Sequence, residues 1–107
     1  MKTLNYNIIG DTAKKVINAA DVIGKDPSMT ISNILATSNS VSLYYSKESY
    51  IVAGNTTETY YVLKGFVMGA YKTLTLDKTD FAFSNKGFDL YIQLGTGSER
   101  VDVIINI

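Results

Sequence analysis

A glycine-rich stretch near the end of the chain, Gly95-Thr96-Gly97-Ser98, is the first candidate for chemistry, because glycine loops often hold phosphate. Such loops work when a helix begins directly after them and presents backbone N–H groups to the anion. Here residues 101–107 alternate and are rich in β-branched side chains, which is typical of a strand. The lysine and hydroxyl partners of a phosphate loop are also missing. We interpret the stretch as a hairpin turn in which the glycines supply positive φ angles.

Carboxylates are the second kind of candidate. Asp77, Asp80 and Asp89 could offer oxygens to calcium, but this spacing is common in ordinary β-turns, where Asp bonds its own backbone. The chain has no histidine and no cysteine, which removes the commonest general base and the usual zinc ligands. A glycosidase-like pair of acids facing across a cleft is not indicated either. The sequence therefore predicts no catalytic residue, no metal and no cofactor, and a protein that is not an enzyme.

Tyrosines are the third candidate, since the chain has eight of them and no tryptophan. We expect Tyr44, Tyr60 and Tyr91 to alternate out of one face of a sheet. Tyrosine combines a large apolar area with one hydrogen-bonding tip. Three roles stay open for these side chains: cross-strand packing, an interface between subunits, and stacking on a ligand such as a sugar ring.

Charge and hydropathy narrow the range of partners. Ten basic and ten acidic residues balance, and no run of like charge is longer than Lys14-Lys15. Binding to nucleic acid would require a basic patch, and none is visible. The longest apolar run, residues 66–71, is too short to span a membrane, and residues 1–10 do not resemble a signal peptide. We expect neither nucleic acid nor membrane as a partner.

Alternating hydrophobicity locates the elements that must position these residues. Seven or eight short strands are predicted, about ten residues apart and separated by loops rich in Gly, Asn, Asp and Ser. They cover residues 4–8, 29–36, 41–45, 60–63, 73–76, 81–83, 90–94 and 101–107. The strand at residues 60–63 is β-prone on both faces, so we expect it at the centre of a sheet. The prediction is a single all-β domain over residues 1–107, an antiparallel β-sandwich or jelly roll.

Residues 11–24 are ambiguous. Ala13, Val16, Ile17, Ala20 and Ile23 have near-helical spacing, and a cap is available at each end. Judged by itself, this segment is predicted as a helix rather than a strand.

The order of segments resembles a known group of proteins. The three stretches that carry the likeness are "ISNILATSNSVSLYY", "TYYVLKGFVMGAYKTLTLD" and "GFDLYIQLGTGSERVDVIINI". Together they resemble small β-sandwich virion proteins of tailed bacteriophages, among them capsid decoration proteins and neck or tail accessory proteins. The likeness extends over residues 29–107 and is weak over residues 1–28. The usual Pro-Ala-Gly turn appears here as Met68-Gly69-Ala70, and the loop from Ser46 to Thr57 is longer than usual.

The resemblance implies a structural protein of the virion with no catalytic residues. It implies a strand at residues 14–18 and a loop at 19–28 in place of the helix. It also implies a homo-oligomer that binds other virion proteins of the capsid, neck or tail, after assembly in the host cytoplasm. An alternative from a different class is a carbohydrate- or host-receptor-binding module that uses the exposed tyrosines.

Overall fold

The computed structural model describes residues 2–22, 25–51, 54–81 and 88–107, and within these the backbone alone of 47–51 and 54–58. The strands in these ranges are β1 (Thr3–Ile9), β2 (Lys14–Ile17), β3 (Ser28–Asn33), β4 (Asn39–Ile51), β5 (Gly54–Met68), β6 (Thr73–Leu76), β7 (Asp89–Leu94) and β8 (Arg100–Asn106). One helical turn, α1 (Ala19–Val22), lies between β2 and β3.

The strands form two antiparallel four-stranded sheets. Sheet A has the order β1-β8-β3-β6, and sheet B has the order β2-β7-β4-β5. Consecutive strands lie in different sheets except β4 and β5, which pair with each other in sheet B. This is the strand order of an eight-stranded jelly roll. The predicted fold class, an all-β antiparallel sandwich or jelly roll, is confirmed.

The core lies between the sheets because every strand turns alternate residues inward. On β4, for example, Val41, Leu43 and Tyr45 are buried, while Ser42 and Tyr44 between them point outward. The other strands with a regular alternation contribute in the same way. Their fully buried residues include Met29, Ile31, Leu90, Ile92, Val101, Val103 and Ile105.

The last two strands do not form the predicted hairpin. β7 belongs to sheet B and β8 to sheet A, so residues 95–99 cross from one sheet to the other. The prediction was wrong because both strands have one apolar face. Such a pattern does not reveal whether two consecutive strands pair edge to edge or pack face to face. The predicted strand at 101–107 is itself confirmed as β8.

The role predicted for the glycines of this connection is also wrong. Positive φ angles among the described glycines occur at Gly10 and Gly65, and not at Gly95 or Gly97. Gly95 instead lies at a close contact with its neighbours. A Cβ at this position would lie 3.0 Å from Cβ of Ser40 and 3.1 Å from Oε2 of Glu99.

Gly95→Ala is therefore expected to lower the free energy of unfolding by about 1–3 kcal/mol, because the added methyl overpacks this contact. Gly97→Ala is the matched control, since no atom lies within 4 Å of its added Cβ. We expect it to be neutral or to stabilise by up to about 1 kcal/mol, because alanine restricts the unfolded chain. Urea unfolding measures both variants. Equal stabilities of the two variants would contradict the close contact at Gly95.

Residues 14–17 form a strand, as the resemblance implies, and the helix predicted from the segment alone is wrong. In the described part of residues 11–24, helical structure is confined to the single turn of α1. The pairing of β2 with β7 shifts between Lys15 and Ile17. This irregularity turns both Val16 and Ile17 inward, so the buried positions lose the period of two and imitate helical spacing.

β4 and β5 form one long hairpin in the stretch from Ser46 to Thr57, which the resemblance treats as a long loop. Ser46 is the last residue of β4 that pairs with β7. Beyond it, the pairs from Lys47–Glu58 to Ile51–Gly54 join the two strands only to each other. β5 is also an edge strand of sheet B, and not a central one.

Two further expectations concern strand ends. β3 ends at Asn33, so the extended run predicted through residue 36 is wrong; the chain bends there around the buried Asn33 side chain. Of the strand predicted at 81–83, Phe81 is buried in a turn, and residues 82–83 lie outside the described part.

Candidate interaction surface

A row of tyrosines crosses the outer face of sheet B. The pairing places Tyr91 of β7 beside Tyr44 of β4, and Tyr44 beside Tyr61 of β5. At the β2 edge, Lys15 pairs with Tyr91 and continues the line. We refer to Tyr91, Tyr44 and Tyr61 as the tyrosine row.

The rings of the tyrosine row lie against one another. Tyr44 and Tyr91 are stacked, with ring centroids 5.6 Å apart and ring planes 12° apart. On its other side, Tyr44 meets Tyr61 at 5.3 Å with a tilt of 48°. The ammonium of Lys64 lies 5.1 Å from the centre of the Tyr61 ring. The three rings therefore form one rigid aromatic strip that ends in a cation–π contact.

The structure places two of the three predicted tyrosines together and separates the third. Tyr60 pairs with the buried Tyr45, so it lies on the opposite face of β5, where its ring meets Phe88 edge to face at 5.5 Å. The expectation that Tyr60 shares a face with Tyr44 and Tyr91 is thus wrong. Its place is taken by Tyr61, whose side chain is 49% exposed.

Sequence reasoning missed Tyr61 because of the register of β5. The pairing between β4 and β5 shifts twice, on either side of Leu43, where two bulges interrupt β5. Each extra residue reverses the face of those that follow, so counting along β5 alone does not say which tyrosine points outward. The adjacent pair Tyr60-Tyr61 was the available signal, since neighbouring residues of a regular strand face opposite ways.

The electrostatics of the row act on its central phenol, that of Tyr44. Burial raises the pKa of Tyr44, and repulsion from Tyr61 and Tyr91 in their ionised forms raises it further. Lys15 forms an ion pair with Asp89 at 3.3 Å, so the charge beside Tyr91 is compensated. The Tyr44 hydroxyl therefore keeps its proton, and it can both donate and accept a hydrogen bond.

This geometry decides which contacts the row can make. Stacking on a sugar requires an open ring face, and Tyr44 has a tyrosine ring on each side, that of Tyr91 on β7 and that of Tyr61 on β5. Rigid aromatic groups with a polar tip are typical of protein–protein contact surfaces. The ring contacts show the cross-strand packing that was one of the three roles considered for these tyrosines.

Alkaline pH is expected to destabilise the protein through its buried phenol. Burial raises the pKa of Tyr45 well above its ordinary range. Above about pH 10 the unfolded chain loses this proton, whereas the folded chain still keeps it. The free energy of unfolding is therefore unaffected below about pH 10 and falls as the pH rises above it. In urea unfolding at roughly pH 9 and pH 11, Tyr45→Phe should lose less stability than the wild type. The exposed Tyr71 provides the control Tyr71→Phe, and equal losses in all three proteins would contradict the prediction.

A second group of polar residues lies buried at the end of the sandwich that holds residues 34–38 and 95–99. Asn33, Asn39 and Glu99 are all buried. The Asn39 amide donates to Oδ1 of Asn33 and, at 3.0 Å, to the carbonyl of Arg100, whose N–H donates back to Oδ1 of Asn39. These contacts connect β3, β4 and β8 across the two sheets. Sequence reasoning considered Asn33 only as a continuation of the alternation of Met29 and Ile31. It did not single out Asn39 or Glu99, because a buried Asn or Glu looks like any loop residue in the sequence.

Glu99 also lines an open cleft of about 300 Å³, which we call the loop-end cleft. Oε1 of Glu99 accepts a hydrogen bond from the backbone N–H of Ser40. The other lining residues are Leu35, Thr37, Ser38, Asn39, Ser40, Val67, Thr96 and Ser98. The walls are therefore hydroxyl-rich with two apolar side chains, and a carboxylate lies among them.

The aspartates considered for calcium are in two places. Asp77 and Asp80 hold their own turn: Oδ1 of Asp77 accepts from the N–H of Thr79 at 2.9 Å, and Oδ2 of Asp80 accepts from the N–H of Asp77 at 2.9 Å. The bonds from Thr79 lower the pKa of Asp77. Asp89 instead accepts from the N–H of Ala19 at 2.8 Å. In the described ranges, no three acidic, histidine or cysteine side chains gather as a metal site would require.

Comparison with protein-family models, with curated proteins and with solved structures gives no match. Among the residues that the structure describes, no helix has the length and apolar character needed to cross a membrane.

Proposed function

We propose that this protein is a non-enzymatic structural component of a tailed-bacteriophage particle, of the capsid decoration or head-to-tail accessory type. In this role copies associate with one another and bind capsid, neck or tail proteins, after assembly in the host cytoplasm. The proposal rests on the resemblance of residues 29–107 to such virion proteins, together with three features of the fold. The first of these is the jelly roll, a fold that viral capsid proteins use and that also serves many other functions.

The observation that carries the proposal is the free part of the β4–β5 hairpin. Its five residues on each strand, Lys47–Ile51 and Gly54–Glu58, pair only with each other. At about 3.3 Å per residue they extend roughly 17 Å beyond the last pair with β7. An isolated two-stranded ribbon is marginally stable in water, so a partner surface is the natural source of additional stability. We therefore assign this arm to contacts with other copies or with the particle.

Contact surfaces on the sandwich itself support the same role. β1 and β6 are the edges of sheet A, and β2 and β5 are the edges of sheet B. An edge strand has unpaired backbone groups that a neighbouring chain can meet. The tyrosine row lies on the outer face of sheet B and runs to its β5 edge. In the proposal, the row packs on a neighbouring subunit.

Self-association and attachment to particles test the proposal. Light scattering on the purified protein should give a mass above the monomer's, and the protein should cosediment with capsids or tails of a phage that carries its gene. A monodisperse monomer that leaves both kinds of particle unbound would refute the proposal.

An arm-shortened variant tests the part played by the hairpin. Residues 49–56 are removed and Glu48 is joined to Thr57 through an Asn-Gly turn, which suits a two-residue hairpin. Because the pairs between β4 and β7 end at Ser46, the sandwich should keep its thermal stability. We expect this variant to lose attachment or self-association. A stable variant that assembles and attaches like the wild type would show that the arm takes no part in self-association or attachment.

A further inference from the structure

We propose that the loop-end cleft binds an alkylammonium group, of the kind presented by a lysine side chain. The inference concerns a surface that the proposed function does not use, so each can fail without the other.

The first step is the state of the Glu99 carboxylate. Glu99 is only 7% exposed. The ion pair in the described part of the chain joins Lys15 to Asp89, and none joins a lysine or arginine to Glu99 within 4.0 Å. Removing a carboxylate from water is costly unless it is hydrogen-bonded and paired with a positive charge. The N–H of Ser40 supplies a hydrogen bond to Oε1, but it supplies no full positive charge. A cation that enters the cleft would supply it.

The second step is the composition of the walls. An ammonium group has three N–H donors and no acceptor, so it needs several oxygen atoms around it. Besides the carboxylate, the cleft has oxygen acceptors on five hydroxyl side chains, those of Thr37, Ser38, Ser40, Thr96 and Ser98. Leu35 and Val67 form the apolar part of the lining. A methylene chain packs on such side chains while its charged end reaches a polar group.

The third step separates an alkylammonium from other cations. Calcium takes six to eight oxygen ligands, commonly from several carboxylates. Among the described residues that line this cleft, Glu99 is the single carboxylate. A guanidinium group favours both oxygens of a carboxylate at once, but Oε1 of Glu99 is engaged by Ser40. A compact ammonium can bind at one carboxylate oxygen and turn its other donors to the hydroxyls. The cleft therefore fits an alkylammonium better than either alternative.

Titration with n-butylammonium, followed by amide NMR shifts, tests the inference. We expect saturable shifts at residues 37–40 and 96–99, and none with n-butanol, which has the alkyl chain without the charge. Nα-acetyl-lysine methylamide, which presents the same group on a peptide backbone, should give the same pattern. Absence of saturable shifts with n-butylammonium, or equal shifts with n-butanol, would overturn the proposal. Calcium chloride that saturates the same residues more tightly than n-butylammonium would overturn it as well.

Two variants separate binding from structure. Glu99→Gln keeps an oxygen to accept from the N–H of Ser40 but removes the charge, so binding should weaken by about tenfold or more, as expected when a charge-assisted contact is lost. Val67 is 65% exposed, so Val67→Ser should fold normally. It should weaken binding of n-butylammonium and leave that of methylammonium unchanged. A Val67→Ser protein that binds n-butylammonium as tightly as the wild type contradicts the proposal even if Glu99→Gln fails to fold.

Discussion

A chain that ends at Asp102 is expected to be unfolded. Such a chain lacks the part of β8 from Val103 onward, and β8 lies between β1 and β3 in sheet A. Val103 and Ile105 are completely or almost completely buried. Loss of each side chain costs about 2–5 kcal/mol, and the ladder hydrogen bonds to both neighbouring strands are lost as well. Domains of this size are stable by only about 5–15 kcal/mol in total.

Circular dichroism and thermal unfolding measure the effect of the truncation, and a matched pair of substitutions shows its cause. Ile105 is fully buried, whereas its neighbour Ile104 on the other face of β8 is 45% exposed. Ile105→Ala should destabilise by about 2–5 kcal/mol, and Ile104→Ala should remain within about 0.5 kcal/mol of the wild type. A truncated chain with wild-type thermal stability, or equal effects of the two alanines, would show that β8 is not a core strand.

The second large effect is expected at Asn33. Its side-chain amide donates to the carbonyls of Thr37 at 2.9 Å, Met68 at 3.2 Å and Gly69 at 2.9 Å. Its Oδ1 accepts from the N–H of Leu35 at 2.9 Å and from the Asn39 amide. One buried side chain therefore connects the end of β3 with the start of β4 and the end of β5.

Asn33→Leu fills a similar volume but makes none of these hydrogen bonds. Each buried group that loses its partner costs about 1–3 kcal/mol, so we expect a total of about 3 kcal/mol or more. Urea unfolding measures the loss. Asn5→Leu is the control, because Asn5 is exposed on β1, and we expect a change within about 0.5 kcal/mol. If Asn33→Leu were as stable as the wild type, the hydrogen-bond network would have no role in stability.

Several elements of the fold could be predicted because their cause is local. β6 and β8 alternate between apolar and polar residues with a period of two, and this pattern identifies a half-buried strand whatever its neighbours are. The turn at Asp77 to Asp80 could also be predicted, since Asp carboxylates bond to nearby backbone N–H groups. The helix predicted for residues 11–24 was wrong because a pairing irregularity in β2 turned two consecutive residues inward, and their spacing imitated that of a helix.

The candidate sites were predicted only in part, because they depend on partners distant in the chain. Tyr44 and Tyr91 were singled out, but their stacking and the replacement of Tyr60 by Tyr61 follow from the register of β5, which two bulges set. The buried Glu99 was missed, and so were the hydrogen bonds of Asn33, although Asn33 continues the inward alternation of β3. The partners of both residues result from the meeting of β3, β4, β5 and β8 at one end of the sandwich, and no short stretch of sequence encodes that meeting.

By itself, the sequence determined that the chain is all-β, where most of its strands lie, and that no histidine or cysteine chemistry is available to it. These properties depend on residue type and on spacing over a few positions. Only the tertiary structure decided that β7 and β8 lie in different sheets, that Gly95 lies close to Ser40 and Glu99, and which tyrosines form the row. Each of these depends on contacts between distant segments, and a period of two is compatible with several ways of making them.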